Sequence, residues 1–159
     1  KYGLNPPAKM REAMSYTAKA VSDHLHKELV PEEIFQLFKD TFENVTTPYN
    51  INGVHFKQLP EGNISTQVTS NYEGGEYITT EAEGNGRLNA VSNALKKAYH
   101  LEYDLISYTE HALEQSSSSK AIAYVGVRKP DGSLSWGAGV DPDIIRASID
   151  ALVTAINNM

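Results

Sequence analysis

The stretch that decides the fold is Gly53 to His100, GVHFKQLPEGNISTQVTSNYEGGEYITTEAEGNGRLNAVSNALKKAYH. Its first part alternates apolar and polar residues over Val54 to Leu59, Ile64 to Asn71 and Glu76 to Glu83, the period of strands with one face in a core. Between these runs lie Pro60-Glu61-Gly62-Asn63 and Glu73-Gly74-Gly75, which carry the chemistry of hairpin turns. At Gly86 the period changes. Leu88, Val91, Ala94, Leu95 and Ala98 then fall on one stripe, as a helix covering a sheet requires.

The same order of elements runs a second time. Strands are expected over about Glu102 to Ala112, Lys120 to Arg128 and Leu134 to Val140. A helix opening at Asp141-Pro142-Asp143 follows, with Ile145, Ser148, Ala151, Leu152 and Ala155 as its stripe. Sliding the chain by about 57 residues superposes Val68 on Val125, Gly75 on Gly132, Ala90 on Ala147, Ala94 on Ala151, Leu95 on Leu152 and Ala98 on Ala155. Alanine at the repeated helix positions allows close approach of helix to sheet, so the expected architecture is α+β, two β-β-β-α units related by a pseudo-twofold.

Upstream of the repeat the period is helical. Met10, Met14, Val21 and Leu25 follow Asn5-Pro6-Pro7, and Ile34, Leu37, Phe38 and Phe42 follow Pro31-Glu32-Glu33, where proline and acids suit a first turn. Thr46-Thr47-Pro48-Tyr49-Asn50 breaks the pattern. The expected organisation is a small helical subdomain over residues 1–50, then a domain over 53–159 whose units are about 53–100 and 101–159. Because the sequence begins at Lys1, a piece of a longer protein is expected.

Composition narrows the function classes. A net charge of −6 with 14 scattered Lys and Arg gives no basic face for nucleic acid or anionic lipid. Without cysteine there is no disulfide, no thiolate nucleophile and no cysteine zinc site, and a cytoplasmic location is expected. His24 and His26 are two apart and point to different helix faces, which is no metal-ligand spacing; His55 and His100 stand alone. Glu110 and His111 form a plausible pair without a nucleophile in register. No catalytic or metal residue is assigned.

Gly84-Asn85-Gly86 joins a strand to a helix. It reads either as a capping turn or as a carboxylate site, where helix-start N–H groups meet a ligand lying against glycine backbone. Its repeat counterpart, Gly137-Ala138-Gly139-Val140-Asp141-Pro142, is acidic and better suited to an ammonium. Tyr103, Tyr108 and Tyr124 read as core packing or as the rim of a pocket for a branched side chain. Ser116 to Ser119 read as a hairpin loop, or one that orders over ligand.

The runs Gly84-Asn85-Gly86-Arg87-Leu88-Asn89-Ala90, Tyr108-Thr109-Glu110-His111-Ala112, Ala121-Ile122-Ala123-Tyr124-Val125 and Trp136-Gly137-Ala138-Gly139-Val140, with Ala147-Ser148 and Ala151-Leu152-Val153, resemble the C-terminal regulatory domain of α-isopropylmalate synthase. Tyr2-Gly3-Leu4 with Met10-Arg11-Glu12 looks like the linker subdomain of that family. The resemblance implies a homodimeric regulatory and dimerisation domain attached to an upstream catalytic TIM barrel, which needs a divalent metal and condenses acetyl-CoA with 3-methyl-2-oxobutanoate. It also implies feedback inhibition by L-leucine, with no cofactor in this segment and no nucleic-acid or membrane partner. The implied effector-binding residues are Gly84, Asn85, Gly86, Leu88, Asn89, Leu105, Tyr108, Ala112, Ser119, Ala121, Val140 and Pro142. Arg87 stands where many relatives have proline, and Ser119 where they often have alanine. An isoleucine sensor of the citramalate synthase type, and a dimerisation module that binds no effector, are the alternatives.

Overall fold

The computed structural model describes residues 3–113 and 120–159. Two helices lead the chain, α1 (Ala8–Leu25) and α2 (Pro31–Phe42). Then come β1 (Tyr49–Gln58), β2 (Ile64–Tyr72), β3 (Ile78–Gly84) and α3 (Arg87–Tyr99), followed by β4 (Asp104–Leu113), β5 (Lys120–Arg128), β6 (Leu134–Asp141) and α4 (Ile144–Asn157). Each strand trio forms its own antiparallel sheet, in the orders β1-β2-β3 and β4-β5-β6. The two β-β-β-α units are therefore present. No helix among the described residues is long and apolar enough to cross a membrane.

The register makes the repeat explicit. β1 slips against β2 between Ile51 and Gly53, and β4 slips against β5 between Leu105 and Ser107. Val54 pairs with Val68, and Tyr108 with Val125. Equivalent residues are thus 54 apart in the first strand and 57 apart from the second strand onward, because the second unit's first hairpin is longer. Both bulges bend the first strand at the same place, which marks them as part of the unit's design.

Several boundaries differ from the sequence reading, β4 beginning at Asp104 rather than Glu102 among them. β1 starts at Tyr49 rather than Val54, because the Asn157 side chain accepts from the Tyr49 N–H (2.8 Å) and donates to its carbonyl (2.9 Å). β3 begins at Ile78, after the turn residues that follow Glu76. α4 begins at Ile144, since Asp143 is its N-cap and accepts from the Ile145 N–H (2.9 Å). Asp141 is instead the last residue of β6.

In the second sheet β5 and β6 are buried on both faces, while β4 is largely exposed. Along β5, Ala123, Val125 and Val127 join the core shared with α3 and α4, while Ile122 and Tyr124 join a second cluster with Met10, Phe38, Phe42 and Trp136. Strand alternation sends neighbours to opposite sides, so the helices α1 and α2 cover one face and α4 the other. α4 is the central element, with nine buried residues between Ala147 and Ile156. It lies on bare backbone: a Cβ on Gly137 would meet the Ala155 nitrogen at 2.3 Å, and one on Gly139 the Ala147 carbonyl oxygen at 1.9 Å. The last turn of α2 and the segment after it are tied to the same helix end, where Asn158 donates to the Thr41 carbonyl (2.9 Å) and Thr154 accepts from the Val45 N–H (2.8 Å).

Two of the three tyrosines are structural. Tyr124 is fully buried; its hydroxyl accepts from the Asn5 N–H (2.8 Å) and lies 2.9 Å from His111 Nε2. Tyr103 meets Ser92 at 2.7 Å inside the core, and burial pushes its phenol up to about 12. Folded-state ionisation is thereby delayed relative to the unfolded chain, so the contribution is full below about pH 10 and is lost as pH rises toward 12. Tyr103 alone is expected to contribute a loss of about 2–3 kcal/mol across that window, read as the difference between wild type and Tyr103→Phe in denaturant titrations, while Tyr49, Tyr108 and Tyr124, also raised by burial, keep a smaller alkaline loss in both.

Candidate functional site

Strand β3 ends and α3 begins within three residues, and each of the three has a different task. Gly84 is buried against the helix: a Cβ there would lie 2.5 Å from the Ala90 nitrogen and 2.4 Å from Asn89 Oδ1. Asn89 turns back so that its Oδ1 accepts from the Asn85 N–H (3.0 Å), and Asn93 donates to the Glu83 carbonyl (2.8 Å). Gly86 is the N-cap, extended at φ −165°, and has no side chain to offer. The N–H groups of Arg87, Leu88 and Asn89 are consequently left without an intrahelical acceptor or a side-chain cap, facing outward at the positive end of a 13-residue helix.

Gly84→Ala is expected to cost about 1–3 kcal/mol by overpacking. A Cβ on Gly86 meets nothing within 4 Å, so Gly86→Ala is expected to cost less than about 1 kcal/mol. Thermal unfolding of the two variants would read the difference.

The start of α4 is built in the opposite sense. Asp141 Oδ1 accepts from the Asp143 N–H (2.9 Å), and Asp143 caps the helix, so this terminus is closed by its own carboxylates. The pseudo-twofold is broken at the two helix starts. Only one is open.

Beside the open start lies a cleft of about 260 Å³ lined by Arg87, Leu88, Tyr108, Ile145, Ser148 and Ile149. It falls just below the roughly 300–1,000 Å³ of drug-sized ligand sites, which suits a molecule the size of an amino acid. Its wall is apolar and branched at Leu88, Ile145 and Ile149. Arg87 is the only charged lining side chain; its guanidinium lies 5.8 Å from the centre of the Phe56 ring and enters no ion pair among the described residues. The Tyr108 hydroxyl meets Ser148 Oγ at 2.7 Å and donates to the Glu110 carboxylate. Burial first, then the bond to Glu110, raises the Tyr108 phenol above its ordinary pKa.

Of the residues the sequence singled out, Leu88 and Tyr108 line this cleft. Gly84, Asn85, Gly86 and Asn89 form the junction at its edge. Leu105 packs into the shared core at the near end of β4. Ala112 and Ala121 pair across β4 and β5 farther along, beside Asp141. Val140 points to the other face of the sheet and packs with the cluster of Met10, Phe38 and Phe42. Pro142 is exposed ahead of α4. Ser119 and the serine run lie outside the described residues.

The expected pairing of Glu110 with His111 does not form. Adjacent strand residues face opposite ways, so Glu110 joins Tyr108 on the α4 side while His111 joins Tyr124 on the other. Ile145, Ser148 and Ile149 were missed as lining residues. A signal existed for Ser148, a polar residue in an otherwise apolar helix stripe.

The family model of the LeuA allosteric (dimerisation) domain matches residues 28–159. The chain belongs to this family. The LeuA domain here is also similar to curated proteins named 2-isopropylmalate synthase: 47% identical over 158 residues to that of Desulfitobacterium hafniense, 37% over 166 residues to that of Helicobacter hepaticus, and 34% over 163 residues to that of Clostridium acetobutylicum. These alignments cover 98–99% of the chain and 28–29% of the relatives, so it spans less than a third of their length. It is a regulatory domain by family, and its two-unit architecture gives that description a physical form.

Proposed function

We propose that this LeuA domain is the effector-sensing and subunit-pairing part of a homodimeric 2-isopropylmalate synthase, and that its effector is L-leucine, held in the cleft between the start of α3, strand β4 and α4. One observation carries the reading: an uncapped helix start, a guanidinium in no ion pair among the described residues and a branched apolar wall converge on one cleft of amino-acid size. The leucine carboxylate is met by the free N–H groups of Arg87, Leu88 and Asn89 and by the Arg87 side chain, with Asn85 and Gly86 leaving the approach open. Its isobutyl group lies against Leu88, Ile145 and Ile149, with Leu105 behind. Ala112, Ala121, Ser119, Val140 and Pro142 belong to the wider set that the family resemblance implies.

In this reading the catalytic barrel and its divalent metal lie upstream of the segment, in the cytoplasm. Feedback inhibition then requires leucine to favour one arrangement of the domain over another, typically by about 1–3 kcal/mol. The physical route available is the second sheet. Its α4 face carries Tyr108, and its opposite face seats α1 and α2, the helices that precede the repeat.

Titration calorimetry of the whole protein with L-leucine, L-isoleucine and L-valine tests this. Leucine is expected to bind most tightly and to inhibit the synthase reaction. Preference for isoleucine would favour a citramalate-type sensor, and a folded dimer that takes up none of the three at millimolar concentration would be a dimerisation module alone.

A further inference from the structure

The internal repeat supplies its own control for which polar residues the scaffold needs. By register, Tyr108 corresponds to Val54 and Glu110 to Phe56; by helix spacing, Ser148 corresponds to Val91. In the first unit all three are apolar and belong to the shared core or pack against it. In the second they cluster around one phenol: the Tyr108 hydroxyl donates to Glu110 and lies 2.7 Å from Oγ of buried Ser148 (3% exposed), which also donates to the Ile144 carbonyl (2.8 Å).

A β-β-β-α unit therefore folds without this polar triple. At Ser148 a hydroxyl stands inside the core and has to be satisfied there, by the Ile144 carbonyl (2.8 Å) and by Tyr108, whereas the valine at its twin position needs no partner. The difference coincides with a difference in packing. On the first unit's side, α4 closes over β1, and Arg146 donates to the Ile51 carbonyl (3.3 Å). On the second unit's side, α3 makes no such bond to β4 among the described residues, and the cleft stays open there. The polar cluster stands where space is left, not where packing is complete. Glu110 is exposed, enters no ion pair among the described residues, and does not itself line the cleft; its bond to Tyr108, a lining residue, holds its carboxylate beside the cleft that Arg87 also lines.

We propose that Glu110, oriented by Tyr108 and Ser148, is the specificity-determining carboxylate of the cleft, receiving the ammonium of an α-amino acid and so excluding acids of the same shape that lack it. This rests on the effector reading above and extends it from the size of the ligand to its charge pattern. A regulatory site that senses an amino acid among branched carboxylic acids, all of which satisfy Arg87 and the apolar wall, needs a group that reads the nitrogen. Glu110 is that group, and Phe56 at its twin position could not serve.

The test is calorimetric titration of the whole protein with L-leucine and with isocaproate, which keeps the branch and the carboxylate but has no ammonium. The wild type is expected to prefer leucine by at least about tenfold. Glu110→Gln is expected to weaken leucine by about tenfold or more and to leave isocaproate within about twofold, erasing the preference. Tyr108→Phe, which frees Glu110 to swing, should lower the preference part of the way. A Glu110→Gln protein that still prefers leucine as the wild type does, or that weakens both ligands equally, overturns the proposal while leaving the effector site standing. A folded wild type that binds neither ligand overturns the effector reading and this inference together.

Discussion

Gly139→Val is expected to leave no folded domain. The glycine lies on β6 under α4, where a Cβ would be 1.9 Å from the Ala147 carbonyl oxygen and 2.6 Å from the Ala151 nitrogen. Both are backbone atoms of a helix, so no rotamer change relieves the clash; α4 would have to lift off the sheet. The helix is held there by Ala147, Ala151 and Ala155, all fully buried, and it is the element that the two units share. Separating it exposes the common core and breaks the bonds by which Thr154 and Asn157 hold the segment after α2 and Asn158 holds the end of α2. The expected loss exceeds about 4 kcal/mol, most of what an ordinary domain possesses. Denaturant unfolding would measure it, and Gly132→Ala, a turn position with a positive φ but open space, is the control expected to cost far less.

The second large effect changes binding and stability in opposite directions. Arg87 is the first residue of α3, where a cation opposes the helix dipole and an acid would favour it. Arg87→Glu is therefore expected to raise the stability of the domain by about 0.3–1 kcal/mol. In the cleft the same change replaces a carboxylate partner with a repelling charge of the same sign as the ligand's. Loss of the charge-assisted bonds alone is about 1.5–3 kcal/mol, and the added repulsion brings the expected fall in leucine affinity above about 100-fold. Thermal unfolding and titration on one preparation would separate the two effects. A protein that is stabilised and deaf to leucine is the expected result; unchanged affinity would remove Arg87 from the site.

Much of the fold was legible because strand period and turn chemistry agree over Gly53 to His100 and again over the second unit. The register of the repeat was less so. A constant spacing of 57 residues misaligns the first strands, since the longer hairpin of the second unit makes the spacing 54 there. That shift is what hides the correspondence of Tyr108 with Val54 and Glu110 with Phe56. The covering of the second sheet by α1 and α2 was readable in principle, because Ala121 to Val127 has no charged or amide side chain to turn toward water and only the Tyr124 hydroxyl as a polar group.

The candidate site was legible in its backbone and not in its walls. Gly84 to Gly86 announced a helix start without a side-chain cap, and Asp143 announced the closed one. Tyr108 was readable from its strand as core packing or the rim of a pocket, and Leu88, read as helix stripe, entered the site through the family resemblance. Ile145, Ser148 and Ile149 were read as ordinary helix stripe, since only the crossing of α3 over α4 decides which part of a stripe faces a gap. Val140 shows the converse: one residue along a strand reverses the face, and its neighbour's chemistry gave no hint of the direction.

Hydrogen exchange of the whole protein with and without saturating L-leucine tests the central claim most directly. Slowed exchange is expected at the amides of Arg87, Leu88 and Asn89, which have no acceptor in the free domain, with weaker slowing along β4 around Tyr108 and in the first turns of α4. Binding of leucine that leaves residues 87–89 unchanged and protects another part of the molecule would contradict the account.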